Sequence, residues 1–210
     1  LSASVAPITY KGTKINIIDT PGYLDFIGEA VQALRVAGSA LIVVDGKAGV
    51  EVGTELAWDM VCEDKMPRAF FINKCDDPEA RFKRVFGQMH ELFGQSVCPV
   101  IIPLMEGDTI VGLLDLLEMK AVGFGKNNAG KEIAIPAGNE ERIEICRSML
   151  YEAVASTSEE LMEKYFNGEE ISREEAVTAL HGGILRGDIA PVICGSATNL
   201  CGIDLLMDLI

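Results

Sequence analysis

Histidine, basic residues and long apolar runs are all scarce in this 210-residue chain, and each shortage argues against a class of function. His90 and His181 are the only histidines, and the six cysteines (Cys62, Cys75, Cys98, Cys146, Cys194, Cys201) never form C-x-x-C, so a zinc site is not expected. Several cysteines sit inside apolar runs such as Pro191-Val192-Ile193-Cys194, where a reduced thiol serves as a small hydrophobe; a reducing cytoplasm suits that usage. Lys and Arg number 18 against 32 Asp and Glu, a net charge of −14, which argues against a surface that neutralises nucleic-acid phosphates. Uncharged apolar runs such as Val36 to Val44 are far shorter than the roughly 20 residues that span a bilayer. No charged-then-apolar leader opens the chain, so a soluble, unexported protein is expected.

What is plentiful is core material. Hydrophobic residues make up 49% of the chain, enough for one large domain or for one domain with a sizeable insertion. The chain opens at Leu1, without an initiator Met and inside an alternating pattern, which suggests a fragment. Ser2 to Ile18 reads as a β-hairpin turning at Lys11-Gly12-Thr13, and a helix carrying Ala30, Leu34 and Ala37 on one stripe follows Asp19-Thr20-Pro21-Gly22. Strands at Ala40–Val44 and Arg68–Ile72 then alternate with helices at Glu55–Asp64 and about Pro78–Phe93. That rhythm implies parallel pairing in a doubly wound α/β sheet. From about Val97 the grammar changes to four strand candidates with short turns (Val100–Leu104, Thr109–Leu114, Met119–Phe124, Glu132–Ile135) and three helices (Glu140–Ala155, Glu159–Phe166, Arg173–Arg186). The last helix is opened by Ser172-Arg173-Glu174-Glu175, the pattern of a capping box. We therefore expect a core of residues 1–96 and 188–210, closed by a strand at Ala190–Cys194 and a helix at Gly202–Ile210, with an inserted α+β subdomain at 97–187. Between Glu140 and Glu175 eleven acidic residues face four basic ones, which suits either a solvated helix surface or a binding face.

In open α/β sheets ligands sit beyond the carboxyl ends of the strands. Three such strand ends carry specific residues: Asp19-Thr20-Pro21-Gly22, Asn73-Lys74-Cys75-Asp76 and Gly195-Ser196-Ala197. Their chemistry suits a guanine nucleotide with magnesium. The Asp19 carboxylate can hold a water of a Mg²⁺ shell, since Mg²⁺ keeps most of its water and takes one or two protein oxygens. Gly22 lets a backbone N–H approach a terminal phosphate. The Asp76 carboxylate can accept from both N1–H and the exocyclic amine of guanine, a donor pair that adenine lacks, although it can also be read as the cap of the helix near Pro78. Lys74 can lay its stem along the base, Asn73 can tie neighbouring loops together, and Ser196 and Ala197 can aim backbone N–H groups at guanine O6.

With these residues the chain resembles, over essentially its whole length, the GTP-binding domain of translation elongation factor G, and more closely the elongation-factor-G-like paralogues. Asp19 to Phe26 resembles that family's switch II, Asn73 to Asp76 its guanine-reading motif, and Gly195 to Ala197 its last base-contacting loop. The stretches Val111 to Leu116, Met119 to Ala121 and Glu160 to Tyr165 resemble its inserted subdomain. The resemblance implies a P-loop-type GTPase core using GTP/GDP and Mg²⁺, in a cytoplasmic, ribosome-associated GTP hydrolase with further domains that make most of the ribosome contact. It also allows a ribosomal stalk protein as partner of the inserted subdomain. A slow or non-hydrolysing nucleotide switch, and a ribosomal-protection or release-factor relative, are the alternatives. Two departures stand out. The family's G-x-x-x-x-G-K-[ST] phosphate loop and first switch are absent, which leads us to expect that the fragment alone is inactive. A look-alike at Gly125–Lys131 is followed by Glu132 and strand-like residues, so it reads as a hairpin turn. The other departure is Tyr23, standing where translational GTPases usually carry a water-positioning His. A phenol can donate a hydrogen bond to water but cannot share imidazole chemistry near pH 7, and the residue can equally be an aromatic packed over its loop. Gly22 and Tyr23 are thus the expected catalytic pair.

Overall fold

The computed structural model describes residues 1–125 and 130–210. Strands β1 (Ser4–Tyr10) and β2 (Thr13–Asp19) pair antiparallel with Tyr10 opposite Thr13. The two residues between them, Lys11 and Gly12, have φ of 46° and 83°, so both central positions of this tight turn are left-handed, as a type I′ hairpin requires. The hairpin stands as its own two-stranded sheet. The Ala3 N–H donates to Glu29 (2.8 Å) and the Tyr10 hydroxyl to Asp208 (2.8 Å), which fastens it to the helices at the two ends of the chain.

A 3₁₀ turn (Leu24–Phe26) leads into α1 (Ile27–Leu34), followed by β3 (Ala40–Asp45), α2 (Val52–Glu63), β4 (Arg68–Asn73), α3 (Phe82–Phe93) and β5 (Val97–Pro99). Four further strands, β6 (Ile101–Glu106), β7 (Thr109–Asp115), β8 (Lys120–Gly123) and β9 (Glu132–Ile133), form an antiparallel meander in sequence order. Helices α4 (Glu140–Ala155), α5 (Glu159–Phe166) and α6 (Arg173–Leu185) come next, then β10 (Ala190–Cys194) and α7 (Ile203–Leu209). The main sheet has the order β3-β4-β10-β5 with every neighbour parallel. The fold is thus mixed α/β around a parallel sheet, carrying an antiparallel meander and three helices between β5 and β10. Among the described residues no helix is long and apolar enough to cross a membrane.

One continuous core joins the parallel sheet to the meander and to α4, whose Leu150 and Val154 are fully buried. On the α2/α3 side, Trp58 stacks on Phe93 (centroids 4.8 Å apart) and on Phe70 of β4 (5.4 Å). Such aromatic pairs are worth about 0.5–1.5 kcal/mol beyond the area they bury. They lock α2 and α3 over the central strand.

Several expected boundaries move, each for a local reason. Helix α3 starts at Phe82, not Pro78, because the Asp77 carboxylate takes the Glu79 N–H (2.8 Å), the Ala80 N–H returns to the Asp77 carbonyl, and the Arg81 N–H donates to the Gly46 carbonyl (2.9 Å). Helix α2 starts three residues early, at Val52, where the Glu51 carbonyl accepts from Thr54 and the Glu51 N–H donates to the Thr54 hydroxyl. Val97–Pro99 pairs in parallel with Ala190–Val192, which puts these residues in the main sheet. The turn expected at Gly125–Lys131 has its middle, residues 126–129, outside the described residues. Its flanks are antiparallel, with Ala121 opposite Ile133, and Lys131 is followed directly by strand β9.

Expected cover on both faces of the sheet fails at β3. Ile42 and Val44 are buried, whereas the alternate residues Leu41 and Val43 are 39% and 57% exposed, and β3 is also an edge strand. An open apolar edge templates pairing with another chain. A polypeptide of residues 1–210 should therefore self-associate as its concentration rises, and Val43→Lys should suppress this in sedimentation velocity; a monodisperse monomer at all concentrations would contradict it.

Candidate functional site

The parallel register brings the carboxyl ends of β3, β4 and β10 to one edge, with Asp45 opposite Asn73 and Ile72 opposite Cys194. The loops that leave these strands are bonded to one another. The Asn73 carbonyl accepts from Gly46 N–H (2.8 Å), its side-chain Oδ1 accepts from Ala197 N–H (2.9 Å), and the Cys75 N–H donates to the Gly195 carbonyl (3.0 Å). Gly195 is required here, because a Cβ would collide with the Cys201 carbonyl and the Phe71 ring. Asn73, Lys74, Ser196 and Ala197 are in this way gathered into one rim.

Ser196 is fully buried and its hydroxyl accepts from Asn199 N–H (3.1 Å). Its own N–H donates to Cys201 O (2.9 Å), and the Ala197 N–H is held by Asn73. Both donors expected to face guanine O6 are bonded inside the protein in this structure. The reason is the tight Ser196–Cys201 turn, closed by reciprocal backbone bonds.

Asp76 is exposed and its carboxylate carries no hydrogen bond among the described residues. It does not cap α3: the cap position is Arg81, and Asp77 makes the turn in between. The helix-cap reading of Asp76 is therefore removed. Lys74, with a left-handed φ of 60°, extends its ammonium to Asp45 Oδ2 at 2.7 Å.

Asp45 is the residue that sequence reasoning missed. Its other oxygen accepts from Lys47 N–H (2.8 Å) and Ala48 N–H (3.0 Å), so one carboxylate organises the β3–α2 loop and holds the lysine of the next loop. The only signal was an Asp at a strand end before Gly46, the pattern of an Asx turn. The bond from Lys74, then the backbone N–H groups, lower its pKa to about 2, while Asp45 raises that of Lys74. A carboxylate held below its unfolded value stabilises the fold above that value, and the contribution is lost as pH falls through the folded value. The melting-temperature difference between wild type and Asp45→Asn should accordingly be constant above about pH 5 and shrink as pH falls through about 4 towards 2. A difference that stays the same to pH 2 would contradict this assignment.

Asp19 ends β2 with an exposed carboxylate, and Thr20, Pro21 and Gly22 carry the chain past the start of α2, the Gly22 carbonyl lying 3.9 Å from where a Cβ on Gly53 would stand. Among the described residues this loop makes no hydrogen bond to the other three. Tyr23 is 71% exposed and precedes the 3₁₀ turn, its carbonyl accepting from Phe26 N–H, so it does not pack over its loop. Among the described residues no three His, Cys, Asp or Glu side chains converge on one point.

Residues 1–210 match the family described as the elongation factor Tu GTP binding domain. The chain is 36% identical over 207 residues to an elongation factor G-like protein of Thermotoga maritima, a match that covers 99% of this chain and 30% of that protein. A crystal structure of a Thermus thermophilus protein is similar with a TM-score of 0.88 and 34% identity, over 100% of this chain and 31% of the other. The chain spans about a third of the length of these relatives.

Proposed function

The chain belongs to the elongation factor Tu GTP-binding domain family, and from that premise we propose that it is the guanine-nucleotide-binding part of an elongation-factor-G-like translation factor that hydrolyses GTP on the ribosome, in the cytoplasm. The observation that carries this reading is the rim in which Asn73 is bonded to Ala197 and the carboxylate of Asp76 is left exposed beside it. Asp76 would read N1–H and the amine of guanine, Lys74 would flank the base with its stem, and Ala197 would wall the pocket with Ser196 buried behind it. Thr20 and Pro21 shape the turn that presents Asp19 and Gly22. A Cβ on Gly22 would meet no atom within 4 Å and its φ is not left-handed, so nothing in the chain's own packing demands glycine there; a close phosphate would.

Mg²⁺ fits the donor set, since an exposed single carboxylate at Asp19, without a converging cluster, suits an ion that keeps most of its water. Bound there, it would neutralise charge on the nucleotide phosphates. No G-x-x-x-x-G-K-[ST] occurs within residues 1–210, so in this reading the main phosphate contacts come from elsewhere in the complete protein, and residues 1–210 alone do not hydrolyse GTP. The core would comprise the parallel sheet and its helices, with the segment after Pro99 as an inserted subdomain. That subdomain's acidic helices, with Phe166 79% exposed on α5, would offer the face for a ribosomal stalk protein.

One observation favours a second reading: the imidazole site is occupied by the exposed phenol of Tyr23, which suits a slow nucleotide switch. Phosphate release from GTP by the complete protein, with and without ribosomes, separates the two. Ribosome-stimulated turnover supports the hydrolase; bound nucleotide without turnover supports the switch; no bound nucleotide overturns both.

A further inference from the structure

Among the side chains at the carboxyl edge of the sheet, Asp45 is the most heavily engaged, yet the guanine reading gives it no task. Its two oxygens divide their work. Oδ1 takes two backbone N–H groups of its own loop, and among the described residues Oδ2 takes only the ammonium of Lys74, 29 residues away on the next strand end. The neighbouring cations are committed elsewhere: the Lys47 ammonium pairs with Glu79, and the Arg84 guanidinium donates to the Lys47 carbonyl. Lys74, for its part, is 62% exposed in its side chain, with Asp77 and Glu51 acting on it only through longer-range attraction. Among the described residues, the single hydrogen bond that fixes the far end of its stem is the one to Asp45.

We infer that Asp45 is a positioning residue for nucleotide retention: by anchoring the Lys74 ammonium it holds the methylene stem in place as one wall of the base pocket, and so slows nucleotide release without choosing the base. The inference rests on the guanine-nucleotide reading. A lysine stem has many rotamers, and packing a base on it costs conformational freedom unless its end is already tied. Asp45 is suited to tie it because the Lys47 and Ala48 N–H groups hold the carboxylate rigid from the opposite side. Base choice, by contrast, depends on donors and acceptors at the Watson–Crick edge, which Asp45 does not face through Lys74.

Asp45→Asn is the informative change, since the amide oxygen can still accept from the two loop N–H groups while the negative charge that holds Lys74 is lost. Release of N-methylanthraniloyl-GDP from the complete protein, chased with excess GDP, should become about fivefold faster, the upper range for a partly exposed ion pair. The ratio of GDP to XDP affinity should not change. Lys74→Met keeps the length of the stem and removes the ammonium; in that background Asp45→Asn should add nothing. If Asp45 only shapes its loop, Asn accelerates release by the same factor in both backgrounds, and the inference is overturned, as it is if Asn leaves release unchanged. A wild-type protein that fails to retain the labelled GDP would overturn the guanine reading itself, and this inference with it.

Discussion

Replacing Asp76 with Asn in the complete protein is expected to weaken GTP roughly 5- to 150-fold and to move preference toward XTP. A carboxylate accepts from both N1–H and the 2-amino group, whereas Asn offers one acceptor and one donor and leaves the amine facing an N–H. A buried polar group left unpaired costs about 1–3 kcal/mol, which sets the range. Xanthine has a carbonyl where guanine has its amine, so the Asn donor finds an acceptor there. Asp76 is exposed and α3 is capped at Arg81, so Asn should leave the melting temperature unchanged. Competition of GTP, XTP and ATP against a fluorescent nucleotide reads the effect, and an unchanged order of affinities would remove Asp76 from the site.

The second large effect is expected at Tyr23. Tyr23→His should raise ribosome-stimulated single-turnover hydrolysis by about tenfold if water positioning limits the step, a change that requires only about 1.4 kcal/mol off the barrier. At 71% exposure the ring supports no packing, so the exchange should not disturb the fold. A His variant no faster than wild type would mean that a different group orients the attacking water.

Elements set by local pattern were legible before the structure. Helices α4 and α5 fall on their expected spans, and Ser172 and Glu175 make the reciprocal bonds of a capping box at the start of α6. Local signals carry these because apolar period and cap residues lie within a few positions of one another. What escaped depends on partners far along the chain. Three residues at Val97–Pro99 become a strand of the main sheet only because Ala190–Val192 lies alongside. Asp45 acquires its role from Lys74, and the Ala197 N–H is taken by Asn73, 124 residues away. Helix α3 starts at Phe82 rather than near Pro78 because the preceding segment is pulled into a turn by Gly46 and Asp77. For the site, the residue types at the strand ends could be read from the sequence, but which donors the protein keeps for itself could not.

The most direct test is displacement of N-methylanthraniloyl-GDP from the complete protein in the presence of Mg²⁺. The rim built on Asn73, Lys74 and Asp76 predicts that GDP and GTP displace the label at stoichiometric concentrations and that ADP and ATP leave it bound even in large excess. Displacement by adenine and guanine nucleotides at equal concentrations would contradict it.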